Sequence, residues 1–225
     1  MRRAALPRLP WTALAVAGFG AILAAAPESW RSALEYERQA LAAGEAWRTW
    51  TGHLVHFSTR HAAVDLATLA ALAGTVEMRR GYRVAAGLLL CAPALLSLTL
   101  FFCVPGLAVY RGASGLCVAC GGALAVALCS GSRRMRMCAR LVAALFVLKT
   151  GFEAIGRPAD FSGLGDGVRV AWQAHVFGAL IGVLCAVLFR RAGTAALPSG
   201  FFPRSRKLAP AQASMAMPAH RKASL

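Results

Sequence analysis

Apolar residues in this chain gather into six runs, at about residues 11–26, 52–76, 84–103, 114–129, 141–152 and 170–189. Each reads as a membrane-crossing helix, against the roughly 20 residues that a crossing needs. The fourth and fifth runs are short, and the second carries so many polar residues that its hydropathy is only moderate. The expected fold is all-α, a polytopic bundle of six transmembrane helices. Composition agrees: 58% of the 225 residues are hydrophobic and 15% charged, too apolar a balance for a soluble domain.

Charge placement supports the same count independently of hydropathy. With a cytoplasmic N-terminus, the cytoplasmic segments hold Arg2, Arg3 and Arg8, then Arg79, Arg80 and Arg83, then Arg133, Arg134, Arg136 and Arg140, and last the basic tail. The opposite side keeps most of the acids: Glu28, Glu35, Glu37, Glu45, Glu153, Asp160 and Asp166. The positive-inside rule then predicts an even number of crossings, with both termini in the cytoplasm of a bacterial inner membrane. The net charge of +16 therefore needs no nucleic-acid partner, because the arginines are dispersed into alternate loops and do not cluster on one face.

These patterns divide the chain into a membrane domain over 1–191 and a basic, disordered cytoplasmic tail over 192–225, rich in Ala, Pro, Ser, Lys and Arg. The first run follows arginines and ends in Ala24-Ala25-Ala26, as a signal peptide does, but its retention completes the six-helix pattern. Between the first two runs, 27–51 carries Trp30, Leu34, Tyr36, Leu41 and Trp47 among Glu and Arg, as expected of short helices lying in the interface. Six of the seven cysteines fall in or at the ends of apolar runs, where Cys behaves as a small hydrophobe. The Cys117/Cys120 spacing is read as packing, not as redox or zinc chemistry.

Two stretches put a reactive side chain on an otherwise apolar helix: Gly112-Ala113-Ser114-Gly115 and His175-Val176-Phe177-Gly178-Ala179-Leu180-Ile181-Gly182. A hydroxyl and an imidazole are costly to bury in hydrocarbon alone, and the economical partner of each is the other. The second run adds His53, His56, His61 and Asp65, with His61 and Asp65 on one helix face. The second, fourth and sixth runs all start on the outer side, so these groups can converge at one shallow depth. Gly178 and Gly182, facing a ridge of Ser114, Val118, Gly121, Gly122 and Ala125, would let two helices approach until Ser114 Oγ reaches His175 at about 2.6 to 3.2 Å, as a general base requires.

On these residues, from Trp47-Arg48 through His56-x-x-x-x-His61-x-x-x-Asp65 to Gly-Ala-Ser114-Gly and His175-x-x-Gly-x-x-x-Gly, the chain resembles the rhomboid family of intramembrane serine proteases. It is most similar to the rhombosortase branch, by its six runs without an added domain, its Trp47-Arg48-Thr49-Trp50-Thr51-Gly52-His53 segment, and Tyr110-Arg111 directly before the serine motif. The resemblance implies Ser114 as nucleophile and His175 as base in a dyad without a third acid, with His61 and the Ser114 backbone N–H facing the acyl oxyanion. Asp65 stands where the family usually has Asn. It would serve either as a neutral donor or, ionised, by orienting His61. Val118 replaces an aromatic common four residues after the serine. The implied substrates are exported proteins with a C-terminal Gly-Gly, transmembrane, basic sorting tail, cleaved near the periplasmic face with no cofactor or metal. Two other classes compete: a b-type haem carrier ligated by these histidines, and a rhomboid-like protein without proteolytic activity.

Overall fold

The structure, a computed structural model, describes residues 9–156 and 169–195. It is almost wholly helical. Six helices of 14 residues or more follow the six apolar runs: α1 (Trp11–Ala24), α5 (Thr59–Arg80), α6 (Tyr82–Cys103), α7 (Ser114–Cys129), α8 (Arg133–Ala154) and α9 (Trp172–Ala195). Between α1 and α5 lie three short helices, α2 (Glu28–Leu34), α3 (Arg38–Ala42) and α4 (Arg48–Thr51), where short helices were expected over 27–51. That segment also holds a strand the sequence did not suggest. β1 (Tyr36–Glu37) pairs antiparallel with β2 (Val109–Tyr110), with Tyr36 opposite Tyr110.

Two segments, α6 and Trp172–Phe189 of α9, are long and apolar enough to cross a membrane on that measure alone, while α1 and α7 are apolar but shorter. Helix α8 starts eight residues before the predicted run, so Arg133, Arg134, Arg136 and Arg140 occupy its first turns and not a loop. Further along, Leu141, Val142, Leu145, Val147 and Leu148 are all exposed. A contiguous apolar face of that kind calls for lipid or another apolar partner.

The second run is where helix and hydropathy part most. The helix begins at Thr59 and not near residue 52, capped by Ser58, whose Oγ accepts the His61 backbone N–H at 3.1 Å. Residues 52–58 form a buried turn held by side chains. Pro93 interrupts the donor series of α6, and Trp50 Nε1–H donates to Leu90 O at 2.8 Å nearby. His53 Nε2 lies 3.1 Å from Pro93 O and 3.0 Å from Ser97 Oγ, which donates to Thr49 O. His53 Nε2, Ser97 Oγ and the carbonyls of Thr49 and Pro93 are thus partnered by one another.

Helix α1 packs along α5, burying Ala13, Gly20 and Leu23. Its unpaired first-turn donors are met by Glu77 of α5, whose carboxylate accepts from Thr12 N, Thr12 Oγ1 and Ala13 N at 3.0–3.2 Å. The core runs through α5, α6, α7 and α9, around Leu69, Leu88, Leu96, Leu100, Leu116 and Ile181. Helix α9 continues to Ala195, past the predicted domain end at 191, and the tail beyond it lies outside the described residues.

Candidate active site

The tightest contact in the fold sets the geometry of the site. A Cβ built on Gly182 would stand 1.9 Å from Ala119 O, one on Gly178 2.3 Å from Gly115 O, and one on Gly122 2.6 Å from Ala179 O. Helices α7 and α9 therefore touch backbone to backbone, an approach open only to residues lacking a side chain. The expected role of Gly178 and Gly182 is met, as is that of Gly122, but the rest of the facing ridge is Gly115 and Ala119, one residue round from the predicted Ser114 and Val118. Gly121 meets nothing within 4 Å. The shift leaves Ser114 at the rim of the interface and not within it.

Helix α7 starts at Ser114, and His175 sits in the first turn of α9. The two starts lie side by side, which brings Ser114 Oγ to 3.1 Å from His175 Nε2. A serine hydroxyl and an imidazole nitrogen at that distance can pass a proton. Cys117 and Cys120 point into the packed interior as free thiols, consistent with packing.

A carboxylate stands where the resemblance implies none. Glu153, in the last turn of α8, is buried, and its Oε2 lies 2.8 Å from His175 Nδ1. Its other oxygen pairs with Lys149, one turn earlier on the same helix. Charge counting had placed Glu153 among the outer-loop acids. The signal was the Lys149–Glu153 pair, two ionisable residues at i, i+4 closing an apolar helix, where isolated charge is expensive. His175 thus has a side-chain partner on each ring nitrogen.

His61 and Asp65 form the opposite wall, with His56 buried behind them. Asp65 Oδ2 lies 3.2 Å from His61 Nε2 and 3.6 Å from His56 Nε2, while the Ala113 backbone N–H donates to His56 Nε2 at 3.3 Å. Gly112 lies directly above them with φ +128°, and a Cβ there would come within 2.9 Å of His61 and 3.1 Å of Asp65. Only glycine fits both the backbone and the space. Asp65 is turned toward the imidazoles, an arrangement that suits orientation of His61.

The loop before Ser114 is tied to the interfacial segment. Arg111 Nε donates to Glu35 Oε2 at 2.5 Å and its Nη2 to Glu28 Oε1 at 2.6 Å, with the guanidinium over the Phe57 ring. The hydrogen bond from Arg111 holds the Glu28 carboxyl below its ordinary range. Arg48 in turn donates to the carbonyls of Ser32 and Glu35, both at 2.9 Å. Two-residue strands and ion pairs at such separation in sequence leave no periodic trace, so this anchoring was not foreseen.

Between these walls lies a cavity of about 600 Å³ that reaches Ser114, His175, His61 and Asp65, with Phe57, Val64, Val118, Phe146 and Ala171 among its apolar lining. It is large enough for several residues of an unwound peptide. No curated protein matches the chain. Residues 43–192, two thirds of the chain and all of the helices that build this cavity, match the Rhomboid domain. The serine, the histidine and the glycine-paired helices that join them are thus part of a membrane protein that belongs to the rhomboid family of intramembrane serine proteases.

Proposed function

We propose that this chain is an intramembrane serine endopeptidase in which Ser114 is the nucleophile and His175 the general base. The observation that carries the reading is the 3.1 Å contact between Ser114 Oγ and His175 Nε2 at the wall of an apolar cavity. Ser114 attacks the scissile carbonyl as its proton passes to His175 Nε2, and that proton then goes to the leaving amine. The first-turn N–H groups of α7 face the developing oxyanion, and His61 completes that donor set from across the cavity. Reaction of detergent-solubilised protein with a fluorophosphonate, followed by peptide mapping, should place the adduct on Ser114. An adduct elsewhere, or none, counts against the reading.

We further infer six crossings of a bacterial inner membrane with both termini cytoplasmic, which puts the site near the periplasmic face. The support is the alternation of arginine-rich and acidic connections. Alkaline phosphatase fused after Trp47 or Asp160 should be active, and fused after Arg80 or Arg136 inactive. The reverse pattern would move the site to the cytoplasmic side. Substrates are transmembrane proteins whose C-terminal sorting helix carries a Gly-rich start, as in GlyGly-CTERM proteins of the rhombosortase branch. The Trp47-to-His53 run and Tyr110-Arg111 favour that branch. Physics favours the same motif, because a helix must unwind to present its carbonyl and glycine lowers the cost by about 1 kcal/mol per residue.

Asp65 acts here by orienting His61, as its turn toward that ring supports. Asp65→Asn should then lower turnover at every pH, by about 100-fold if His61 is lost as an oxyanion donor. An Asn variant as active as the natural protein, or more so, would instead make Asp65 a neutral donor in the hole.

A further inference from the structure

We propose that Glu153 is a positioning residue for His175, so that the site works as a Ser114–His175–Glu153 triad whose carboxylate is fixed by Lys149. The proposal rests on the protease reading above. His175 Nε2 faces Ser114 Oγ at 3.1 Å while Nδ1 faces Glu153 Oε2 at 2.8 Å. A carboxylate on Nδ1 accepts the Nδ1–H, which leaves the Nε2 lone pair for the serine proton and fixes the ring plane. Both carboxylate oxygens are used, one by the imidazole and one by the Lys149 ammonium, so Glu153 has no free rotation about its terminal bond. The aromatic that could have braced the imidazole from α7 is absent, with Val118 in its place. Glu153 supplies from α8 what α7 lacks.

In the chemical step the Ser114 Oγ–H bond breaks, the proton goes to Nε2 and the Oγ–carbon bond forms. The Nδ1–H stays on Nδ1, and Glu153 remains a carboxylate opposite the imidazolium. That positive ring is the species a buried carboxylate stabilises most, so the gain falls on the transition state and not on substrate binding. The charged and titratable groups that line the cavity with this ring are Lys149 and Glu153 from α8, His61 and Asp65 from α5, Tyr110 and Arg111 from the serine loop, Cys117 from α7, and Arg169 before α9. Glu153 alone among them contacts Nδ1.

The test is the rate of Ser114 labelling by a fluorophosphonate, measured against pH on the full chain in detergent, for the natural protein, Glu153→Gln and Glu153→Ala, with Ser114→Ala as blank. Glu153→Ala should label about 100-fold more slowly. Glu153→Gln keeps an acceptor for Nδ1–H but no charge, and should fall between the two. Both variants should carry the acid limb of the profile to lower pH, because the imidazolium has lost its counter-charge. A residue needed only for packing would leave that limb in place. If Glu153→Ala fails to fold, the near-isosteric Glu153→Gln decides by the same limb. Labelling of either folded variant at the natural rate and with the natural profile overturns the role of Glu153 and leaves Ser114 standing. A natural protein that labels no faster than the Ser114→Ala blank overturns the protease reading, and this proposal with it.

Discussion

Replacing Ser114 by Ala should abolish cleavage of a transmembrane reporter in proteoliposomes, a loss of at least about 10⁴-fold, with the melting temperature almost unchanged. One hydroxyl is removed at the mouth of a cavity, with the loss of its contact to His175, and the backbone-to-backbone packing of α7 on α9 does not depend on it. His175→Ala should be as inactive but less stable. It empties a buried site and strips Glu153 of a partner, and an unsatisfied buried acceptor costs about 1–3 kcal/mol. The two variants therefore share one kinetic result and differ in their melting. Cleavage retained by Ser114→Ala would remove the nucleophile from the scheme altogether.

Gly182→Val should be the most damaging change remote from the chemistry. Its Cβ would fall 1.9 Å from the Ala119 carbonyl oxygen, and since the obstacle is backbone, no rotamer change relieves it. Helices α7 and α9 must separate, at a cost of about 3 kcal/mol or more, a large share of the margin by which a typical protein stays folded. The surviving folded fraction should also be slow. Ser114 and His175 ride on the two helices being parted, and a displacement of about 1 Å between reacting groups can cost about 100-fold. The control is Gly121→Val on the neighbouring face of α7, where nothing lies within 4 Å, and stability there should change by less than about 0.5 kcal/mol. Equal melting of the two variants would mean that the helices do not meet on the face formed by Gly178 and Gly182.

Ser114 and His175 were legible because each is the one reactive side chain at the start of an apolar run, and the i, i+4 spacing of His61 and Asp65 announced their shared face. Glu153 escaped for the complementary reason. A carboxylate near the end of an apolar run reads as loop charge unless its basic neighbour one turn back is weighed with it. On α7 Gly122 was placed on the right face, but Ser114 and Val118 stand one residue, about 100° of rotation, from Gly115 and Ala119, because small residues crowd both faces of that helix and periodicity cannot choose between them. At 52–58 the polar side chains were read as decorating a helix, but the segment is a turn, and His53 ties it to α6 through the Pro93 carbonyl and Ser97 Oγ. Hydropathy averages over a window and is blind to that difference. The Ser58 cap three residues before His61 was the local mark of the true helix start.

The anchoring of the serine loop has a consequence for biogenesis. Tyr110 and Arg111 take their partners from residues 28 to 36, Gly112 N–H donates to Gly52 O at 3.2 Å, and the partner of Ser114 is residue 175. The working geometry thus joins segments from the first fifth of the chain to its last helix, and none of these contacts is local. Contacts so distant in sequence form late. On the proteolytic function proposed above, a nascent chain threading into the membrane carries its serine long before that serine is mounted, so half-inserted copies are harmless to their neighbours until α9 docks.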